Sequence, residues 1–368
     1  MSGAEWTVRV ANLAGEEVGQ LSPVRLEAQL RFNDVGTWLL DADFGDRMLN
    51  DLLTEGASIV VYPPGRSVPL FAGPWIEAVV TEGDALTVEV SGVTDEVLLD
   101  RRLASPDPDI DPPWVATTRQ KTGPAHEVIE AFVEENAGQT ALVEDRRSLV
   151  VDPQTLTTPT VRWTATGQPL LELCQGLGDG GDVAFHVERR DGVPTFVTGL
   201  AADRSGEVVF AANLGTVERT TLTTQVAQVT HAVVKGDDVT ALTSDAALRA
   251  VWGRIERLIA HGQSNDPDEL ADVGLSSIAE QKPLRTVTAL PIEGAGAIEF
   301  VEDWNLGDKV TIRVGDTSVV DVIRQVTLTL EAGQAPRVQA ALSDIGTPSG
   351  RALRRIGRRL SLVEAARS

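Results

Sequence analysis

The sequence predicts an α+β fold dominated by β structure, in which two similar β-barrel-like domains flank a small inserted α+β domain and a basic amphipathic helix ends the chain. Three observations predict this. Short alternating apolar and polar runs fill the first hundred residues and return after Gly206, helical periodicity lies between them, and arginines concentrate after Gly350. Alternation at period two is typical of half-buried strands, whereas a period near 3.6 is typical of amphipathic helices.

The length of 368 residues exceeds that of a usual single core, so several domains are expected. The predicted domains are a first β domain at 1–111, an inserted α+β domain at 112–206, a second β domain at 207–345 with one helix near 266–281, and an Arg-rich helix at 346–368. The first boundary lies within the linker SPDPDIDPP, residues 105–113, because its four prolines are incompatible with a continuous strand or helix.

The first domain contains strand signals in the runs TVRV, GASIVVYP and AVVTEGDALTVEVSG, the last with a hairpin turn at Glu82-Gly83-Asp84. In LRFNDVGTWLLDAD, residues 30–43, the segment Asn33-Asp34-Val35-Gly36 is predicted to be a turn between two strands. Trp38 starts the second strand, where it is either a platform for a ligand or a packing residue. Its strand context favours packing.

The inserted domain contains two predicted helices. In TGPAHEVIEAFVEENAGQ, Pro124 suits the first helical position, and in GQPLLELCQGLG, Pro169 opens a helix that Gly178 ends. The glycine-rich segment 176–182 follows a helix, whereas phosphate-binding loops lead from a strand into a helix, so we predict a flexible connection there. A hairpin follows, with its turn at Asp191-Gly192.

The second β domain is interrupted by one predicted helix, for which Asp266 is the cap, Pro267 the first residue and Glu269 the partner in a capping box. The final runs KVTIRV, SVVDVIRQVTLTL and PRVQAAL resemble LLTEGASIVVY, VPLFAGPWIEAVVT and ALTVEVSG in strand order and approximate length. This match of pattern predicts two copies of a similar β unit, while chance similarity between two meanders is the alternative.

Charge is segregated along the chain. The net charge of −22 argues against a surface that grips nucleic acid, because phosphate binding needs clustered Lys and Arg. The C-terminal segment is the exception, since Leu353, Ile356, Leu360 and Val363 recur at helical spacing among many arginines. We expect it to contact a neighbouring subunit or an acidic partner, with a solvated tail and nucleic-acid contact as alternatives. The proposed contact residues are Arg351, Arg354, Arg355, Arg358 and Arg359.

The residues that could carry chemistry are few. The four histidines are too widely spaced for a zinc site, and Cys174 lies on the apolar face of a predicted helix, where a buried thiol is expected. The alternating aspartates that begin at Asp107 resemble half of a calcium loop, but Pro112 replaces the required glycine and Thr118 the bidentate glutamate. No nucleophile elbow or P-loop is present. We therefore expect no catalytic residue, cofactor or metal.

No apolar run reaches the roughly 18 residues of a membrane span. The first ten residues also lack a basic start followed by an apolar stretch, so neither membrane insertion nor secretion is expected.

Several segments taken in order resemble a known family. LRFNDVGTWLLDAD, GPWIEAV, VSGVTDEVLLDRRLASPDP, TGPAHEVIEAFVEENAG, the helix and hairpin from Gly167 to Gly199, and WNLGDKVTIRV resemble the siphophage minor tail proteins of phages of actinobacteria, which are similar to tail-tip or baseplate hub proteins. The resemblance covers residues 20–342, and the Arg-rich tail departs from the family pattern. The structural motif residues are Asn33, Gly36, Trp38, Gly73 and Trp75.

The resemblance implies a structural virion component at the distal end of a phage tail. It implies a homotrimeric ring that closes the tail tube, contacts the distal tail protein, the tape-measure protein and a central tip or fibre protein, and lets DNA pass without specific binding. Two β units in each of three copies would match a six-fold tube, and acidic charge on the lumen would repel DNA. The alternatives are a receptor- or carbohydrate-binding tail module that uses Trp75 or Trp114, and a tail-associated cell-wall hydrolase.

Overall fold

The computed structural model describes residues 5–82, 86–110, 114–142, 149–260, 267–281, 284–291 and 298–342, to which the statements below refer. The chain forms two compact units, the first comprising residues 1–219 and 289–340 and the second comprising 220–288 and 341–368. Strands supply most of the regular structure, which confirms the predicted β-dominated α+β class. The four-part domain division and the closure of the sheets into barrels stay predictions.

Strands and short helices alternate through the first part of the chain. They are β1 (Thr7–Ala11), β2 (Glu17–Leu21), β3 (Arg25–Arg31), β4 (Thr37–Asp43), α1 (Arg47–Leu52), β5 (Ser58–Tyr62), β6 (Phe71–Glu82), β7 (Leu86–Val93) and α2 (Val97–Asp100). The next elements are β8 (Arg119–Pro124), α3 (Ala125–Asn136), β9 (Val150–Asp152), β10 (Thr160–Ala165), α4 (Leu170–Gly181), β11 (Ala184–Arg190) and β12 (Val193–Gly199).

The remaining elements are mostly strands. They are β13 (Val209–Phe210), a 3₁₀ turn (Ala212–Leu214), β14 (Val217–Gln225), β15 (His231–Lys235), β16 (Thr240–Ser244), α5 (Ala246–Trp252), β17 (Glu256–Ala260), α6 (Pro267–Glu280), β18 (Leu284–Pro291), β19 (Lys309–Val314), β20 (Thr317–Val322), β21 (Gln325–Glu331) and β22 (Arg337–Ala341). The chain passes from the first unit to the second within β14 and returns within β18.

A large sheet organises the first unit, where nine of its strands follow the order β22-β21-β3-β4-β7-β6-β5-β1-β2. Alternate residues of the central strands are buried, among them Leu26, Ala28, Trp38, Leu40 and Val90. Strand β6 pairs with β5 through residues 71–74 and with β7 through 75–82, and its register shifts between Trp75 and Glu77. Such a bulge bends the strand, so β6 changes partners at this point.

Helices α3 and α4 pack together between the two-stranded sheet β10-β8 and the three-stranded sheet β11-β12-β9. Their stripes bury Ile129, Phe132, Leu170 and Cys174 in a core that also contains Leu99 of the preceding α2. The predicted helix and hairpin signals of this region therefore correspond to elements that share one apolar core.

Helix α4 is longer than predicted. Gly178 does not end it: the helix continues to Gly181, and Asp182 follows in the left-handed conformation with φ of 53°. The prediction of a flexible connection over 176–182 is therefore wrong. The glycines are explained by close packing, because a Cβ at Gly176 would lie 2.8 Å from the Trp163 ring and a Cβ at Gly178 would lie 2.9 Å from the Val183 carbonyl oxygen.

The predicted strand SVVDVIRQVTLTL is two strands in different sheets. Strand β20 pairs with β19 in a sheet of order β13-β19-β20, whereas β21 pairs with β3 in the large sheet. The chain changes sheets at Ile323 and Arg324, where Ile323 is fully buried. The corresponding run near the N-terminus forms the single bent strand β6, so the two β patterns share an order of strands while they differ in continuity.

The second unit contains the sheet β16-β15-β17, with helix α6 packed on one face. Val234 and Ala232 of the central strand contact Leu270 and Ile278 of α6 in a small apolar core. Helix α6 runs from Pro267 to Glu280, as predicted.

Some predictions fall outside the described residues. These are the turn at Gly83-Asp84, the linker end at 111–113, the cap Asp266, the histidine His261 and the C-terminal helix with Arg351, Arg354, Arg355, Arg358 and Arg359.

Candidate functional site

The turn predicted around Asn33 joins the large sheet to the α3–α4 region. Asn33 has a φ of 53° and is buried. Its side-chain amide donates to the Val183 carbonyl oxygen at 2.9 Å, and its side-chain oxygen accepts from the Phe185 backbone N–H at 2.7 Å. The Gln175 side chain also donates to the Asn33 carbonyl oxygen at 3.0 Å. The turn thus holds the end of α4 and the start of β11 in place.

Trp38 and Gly36 complete this turn. The Gly36 N–H donates to Thr94 Oγ1 at 2.9 Å, and a Cβ at Gly36 would lie only 2.8 Å from the Gln29 carbonyl oxygen. Trp38 is 2% exposed, and its Nε1 donates to the Val93 carbonyl oxygen at 3.1 Å. The ring lies against Gly92, where a Cβ would overlap it. Because Trp38 is enclosed, it packs in the core of the sheet.

Gly73 and Trp75 lie on both sides of the point where β6 changes partners. A Cβ at Gly73 would overlap the Val93 carbonyl oxygen, so β6 and the end of β7 approach closely only because glycine is there. Trp75 is half-buried, and its Nε1 donates to the Thr54 carbonyl oxygen at 3.2 Å. The indole is therefore tied to the segment that follows α1.

Two further contacts fix the same joint. Arg189 of β11 makes a two-pronged ion pair with Asp95 at 2.7 and 3.1 Å, and both side chains are almost fully buried. The adjacent Glu96 accepts from the Val187 N–H at 3.0 Å, and burial raises the pKa of its carboxyl above the ordinary value. Charge-assisted hydrogen bonds such as those between Arg189 and Asp95 are among the strongest polar contacts, so they stabilise the joint.

The outer side of the large sheet carries a concentrated negative charge. On β3, β4, β6, β7 and β21, the residues that alternate with the buried ones point outward and are half-buried or exposed. Among these described positions, six are carboxylates and two are arginines, Arg25 and Arg31. We call this surface the acidic face and define it by Glu27, Asp41, Asp43, Glu77, Glu89 and Glu331.

Two carboxylates of the acidic face stand directly opposite each other. Asp41 on β4 is the register partner of Glu89 on β7. Like charges in this arrangement are destabilising, so stability does not explain their presence. Arg25 pairs with Glu27 at 2.6 Å and lies 3.7 Å from Glu331. These ion pairs lie at one side of the acidic face and do not neutralise the negative charge of Asp41 and Glu89. The sequence signal was the recurrence of acids at alternate strand positions, as in DAD, residues 41–43.

The distal half of β6 is a second candidate surface. Residues 75–82 pair with β7 on one side, and none of the described strands pairs with the other side. Ile76 is 55% exposed and Val80 51% exposed. An edge strand with unpaired backbone groups and exposed β-branched side chains is a template for pairing with another chain.

The described residues show little that could perform chemistry. They contain no group of three or more His, Cys, Asp or Glu able to hold a metal ion, and none of their helices is long and apolar enough to span a membrane. Cys174 is buried, and desolvation raises the pKa of its thiol far above the ordinary value, so it is not a reactive nucleophile. Trp114 is half-buried, and its ring packs against Gly167.

The comparisons with known proteins identify a family and a shared fold. The family described as Siphovirus ReqiPepy6 Gp37-like protein matches residues 7–342 of the chain. Among solved structures, the prophage MuSo2 43 kDa tail protein from Shewanella oneidensis is similar with a TM-score of 0.56 at 12% identity, over 92% of this chain and 98% of that one. The tail protein from Neisseria meningitidis MC58 is similar with a TM-score of 0.54 at 12% identity, over 93% and 97% of the two chains. No curated protein matches the chain in sequence.

Proposed function

The chain belongs to the Siphovirus ReqiPepy6 Gp37-like family, a family of siphovirus tail proteins, and from this premise we propose that it is a structural hub at the distal end of the tail of a long-tailed phage. The observation that carries the proposal is the family match over residues 7–342. A fold shared with two phage tail proteins along more than nine-tenths of each chain supports it. In this proposal the protein has no catalytic activity.

The hub is proposed to be a homotrimeric ring that closes the tail tube. The free edge of β6 at residues 75–82 supports an assembly of copies, since its backbone groups and its exposed Ile76 and Val80 are suited to pairing with a neighbouring chain. A contact between two different surfaces of the same chain, repeated by a rotation of 120°, closes into a three-membered ring. The ring would contact the tail tube, the distal tail protein, the tape-measure protein and a central tip or fibre protein.

The acidic face is proposed to line the passage for DNA. Negative charge on the wall repels the phosphate backbone, so DNA would pass without binding. The Debye length is about 8 Å at physiological ionic strength, so this repulsion acts only close to the wall. A sheet surface suits the role because its side chains are held in fixed rows. The unfavourable Asp41–Glu89 pairing is understandable if the charge serves passage and not stability.

Two measurements test the proposed hub directly: the mass of the chain in solution and its position in the virion. Light scattering of the purified chain is expected to give the mass of a trimer, and density for the chain is expected at the distal end of the tail in images of the virion. A monomer in solution that also lacks density at the tail end would overturn the proposal. Density along the whole tube would instead assign the chain to the tube.

The role of the acidic face requires a separate test in phage particles. In a phage that carries Asp41→Lys, Glu77→Lys and Glu89→Lys, assembled particles are expected to eject DNA more slowly than the parent phage. The matched control changes Glu207, Glu218 and Asp316 to Lys, which are exposed carboxylates outside the acidic face. If both mutant phages release DNA at the parental rate, the acidic face does not line the passage.

A further inference from the structure

The sheet of the second unit has one covered face and one bare face. Helix α6 covers the side on which Ala232, Val234 and Ile259 lie. On the opposite side, Val233 of β15 is the register partner of both Leu242 of β16 and Leu258 of β17. Alternation along each strand therefore places one apolar residue from every strand in a single row.

This row is largely uncovered by the described residues. Leu242 is 61% exposed and Leu258 is 70% exposed, while Val233 is half-buried. Single exposed leucines are common on protein surfaces, but two leucines and a valine aligned across a whole three-stranded sheet form a continuous strip. Sheets with one covered face usually bury the other face beneath a second layer when that face is apolar.

The chain supplies a segment of the matching chemistry. Residues 343–368 directly follow Leu342, which is fully buried. Their sequence begins with the polar, Gly- and Pro-containing run SDIGTPSG and continues with an amphipathic helical pattern. On a helical wheel, Leu353, Ile356, Leu360 and Val363 form one apolar stripe.

We propose that the C-terminal segment of the same chain forms a helix whose apolar stripe covers the row of Leu242, Val233 and Leu258. The dimensions agree, because the stripe from Leu353 to Val363 is about 15 Å long in a helix, and the outer strands of a three-stranded sheet lie about 10 Å apart. The unit would then have a helix on each face of its sheet. This inference does not depend on the proposed hub function.

Docking through the stripe determines where the arginines lie. Arg351, Arg354, Arg355 and Arg358 fall on the opposite side of the helical wheel from the stripe, and Arg359 lies at its flank beside Val363. A docked segment would therefore present a ridge of guanidinium groups on a chain whose net charge is −22. Such a ridge suits an acidic protein surface, since guanidinium groups bind carboxylates in a two-pronged geometry.

A disulfide trap in the full-length chain tests the contact. With Leu258→Cys and Ile356→Cys together, mild oxidation by diamide is expected to give a disulfide within one chain, seen as a faster monomer band on a non-reducing gel. The control pairs Leu258→Cys with Arg358→Cys, which lies on the arginine side of the wheel and should cross-link poorly. Cys174 is buried and is left in place. A disulfide that joins two chains, or equal yields in both pairs, would overturn the proposal.

Trypsin cleavage provides a second readout that needs no cysteine. Covering the stripe should protect the peptide bonds after the tail arginines, so Leu242→Ser with Leu258→Ser is expected to increase the rate of cleavage within 351–359 about tenfold, because proteolysis follows the population of the open state. Leu275→Ser is the matched control, since Leu275 is a similarly exposed leucine of α6. Equal cleavage rates in both variants and the parent would also overturn the proposal.

Discussion

At the scale of the residue, Asn33 shows how one side chain links distant parts of the sequence. The turn at 33–36 could be predicted, because Asn, Asp and Gly tolerate turn conformations. Its role in binding Val183 and Phe185 could not be predicted, since turn chemistry contains no information about a partner 150 residues away. Asparagine suits the position for two reasons: it tolerates a positive φ, and its amide provides both a donor and an acceptor.

Asn33→Ala is therefore expected to lower the free energy of unfolding by about 2–4 kcal/mol, because it removes two buried hydrogen bonds and places alanine at a positive φ. The measurement is the midpoint of urea unfolding followed by circular dichroism. Asn50→Ala is the control, as Asn50 is exposed in α1, and it should change stability by less than about 0.5 kcal/mol. Equal effects of the two substitutions would contradict the role given to Asn33.

Glu135 provides a prediction about pH. Burial acts to raise the pKa of its carboxyl, but hydrogen bonds and charges from Arg119 and Lys121 outweigh burial, so the pKa lies below the ordinary value of 4.5. A lowered pKa in the folded state means that the stabilisation is present above the ordinary pKa and is lost as pH falls through the folded value. These contacts fasten α3 to β8.

Glu135→Gln is expected to lower stability by about 1–2 kcal/mol at pH 7. Below pH 4.5 the difference from the parent chain should shrink, since the parent carboxyl then becomes protonated as well. Thermal melts at pH 7, 5, 4 and 3 measure this trend. Glu127→Gln, an exposed change in the first turn of the same helix, serves as control. A difference that stays constant down to pH 3 would show that the ion pairs do not stabilise the fold.

At the scale of the element, apolar periodicity predicted where helices and strands lie better than where they end. Helices α3 and α4 begin at Ala125 and Leu170, one residue later than predicted. Pro124 and Pro169 have extended ψ angles of 138° and 134°, so each proline precedes the helix as its N-cap and is not its first helical residue. Helix α4 continues past Gly178 because tertiary packing against Trp163, Val183 and Ala125 requires small residues there, which overrides the usual meaning of glycine as a stop. The division between β20 and β21 was missed because both parts have the same alternation.

The two hairpin tips at Gly15 and Gly192 offer a test at this scale. Each glycine has a positive φ, and a Cβ on either would overlap the other's carbonyl oxygen. Gly192→Ala is expected to lower stability by about 3 kcal/mol or more, since backbone strain and overlap add. Gly333→Ala has a similar φ of 74° but open space around it, so it should lower stability by only about 1 kcal/mol. Similar melting temperatures for the two variants would disprove the contact.

At the scale of the whole molecule, the net charge indicates that the chain carries excess acid, but it does not indicate how that charge is arranged. The acids are far apart in sequence, as with Asp41, Glu77 and Glu331, and they meet only because the sheet order places β21, β3, β4, β7 and β6 side by side. Strand order cannot be read from one sequence, so the acidic face became evident only in the fold. The Gly and Trp residues of the predicted motif are structural supports of this same sheet.

The arrangement leads to a prediction for binding to duplex DNA at about 50 mM salt, where phosphate contacts are strong. The parent chain should not shift DNA in a gel. Asp41→Lys with Glu77→Lys and Glu89→Lys should shift it, because the new lysines adjoin Arg25 and Arg31 in one basic surface. The triple variant with Lys at positions Glu207, Glu218 and Asp316 has the same net charge and should not shift DNA. If both triple variants bind DNA, net charge alone determines DNA binding, and the position of the acidic residues has no effect on it.

The pairing of β3 with β21 has a consequence for synthesis of the chain. Residues 25–31 pair with residues 325–331, so the middle of the large sheet remains incomplete until β21, 300 residues after β3 in the sequence, has also left the ribosome. At about 5–20 residues per second, that delay is roughly 15–60 s. During this time the nascent chain would expose a strand edge, which invites aggregation. Arg25, Glu27 and Arg31 place charges along that edge, and charged residues discourage unwanted pairing while the partner strand is still being made.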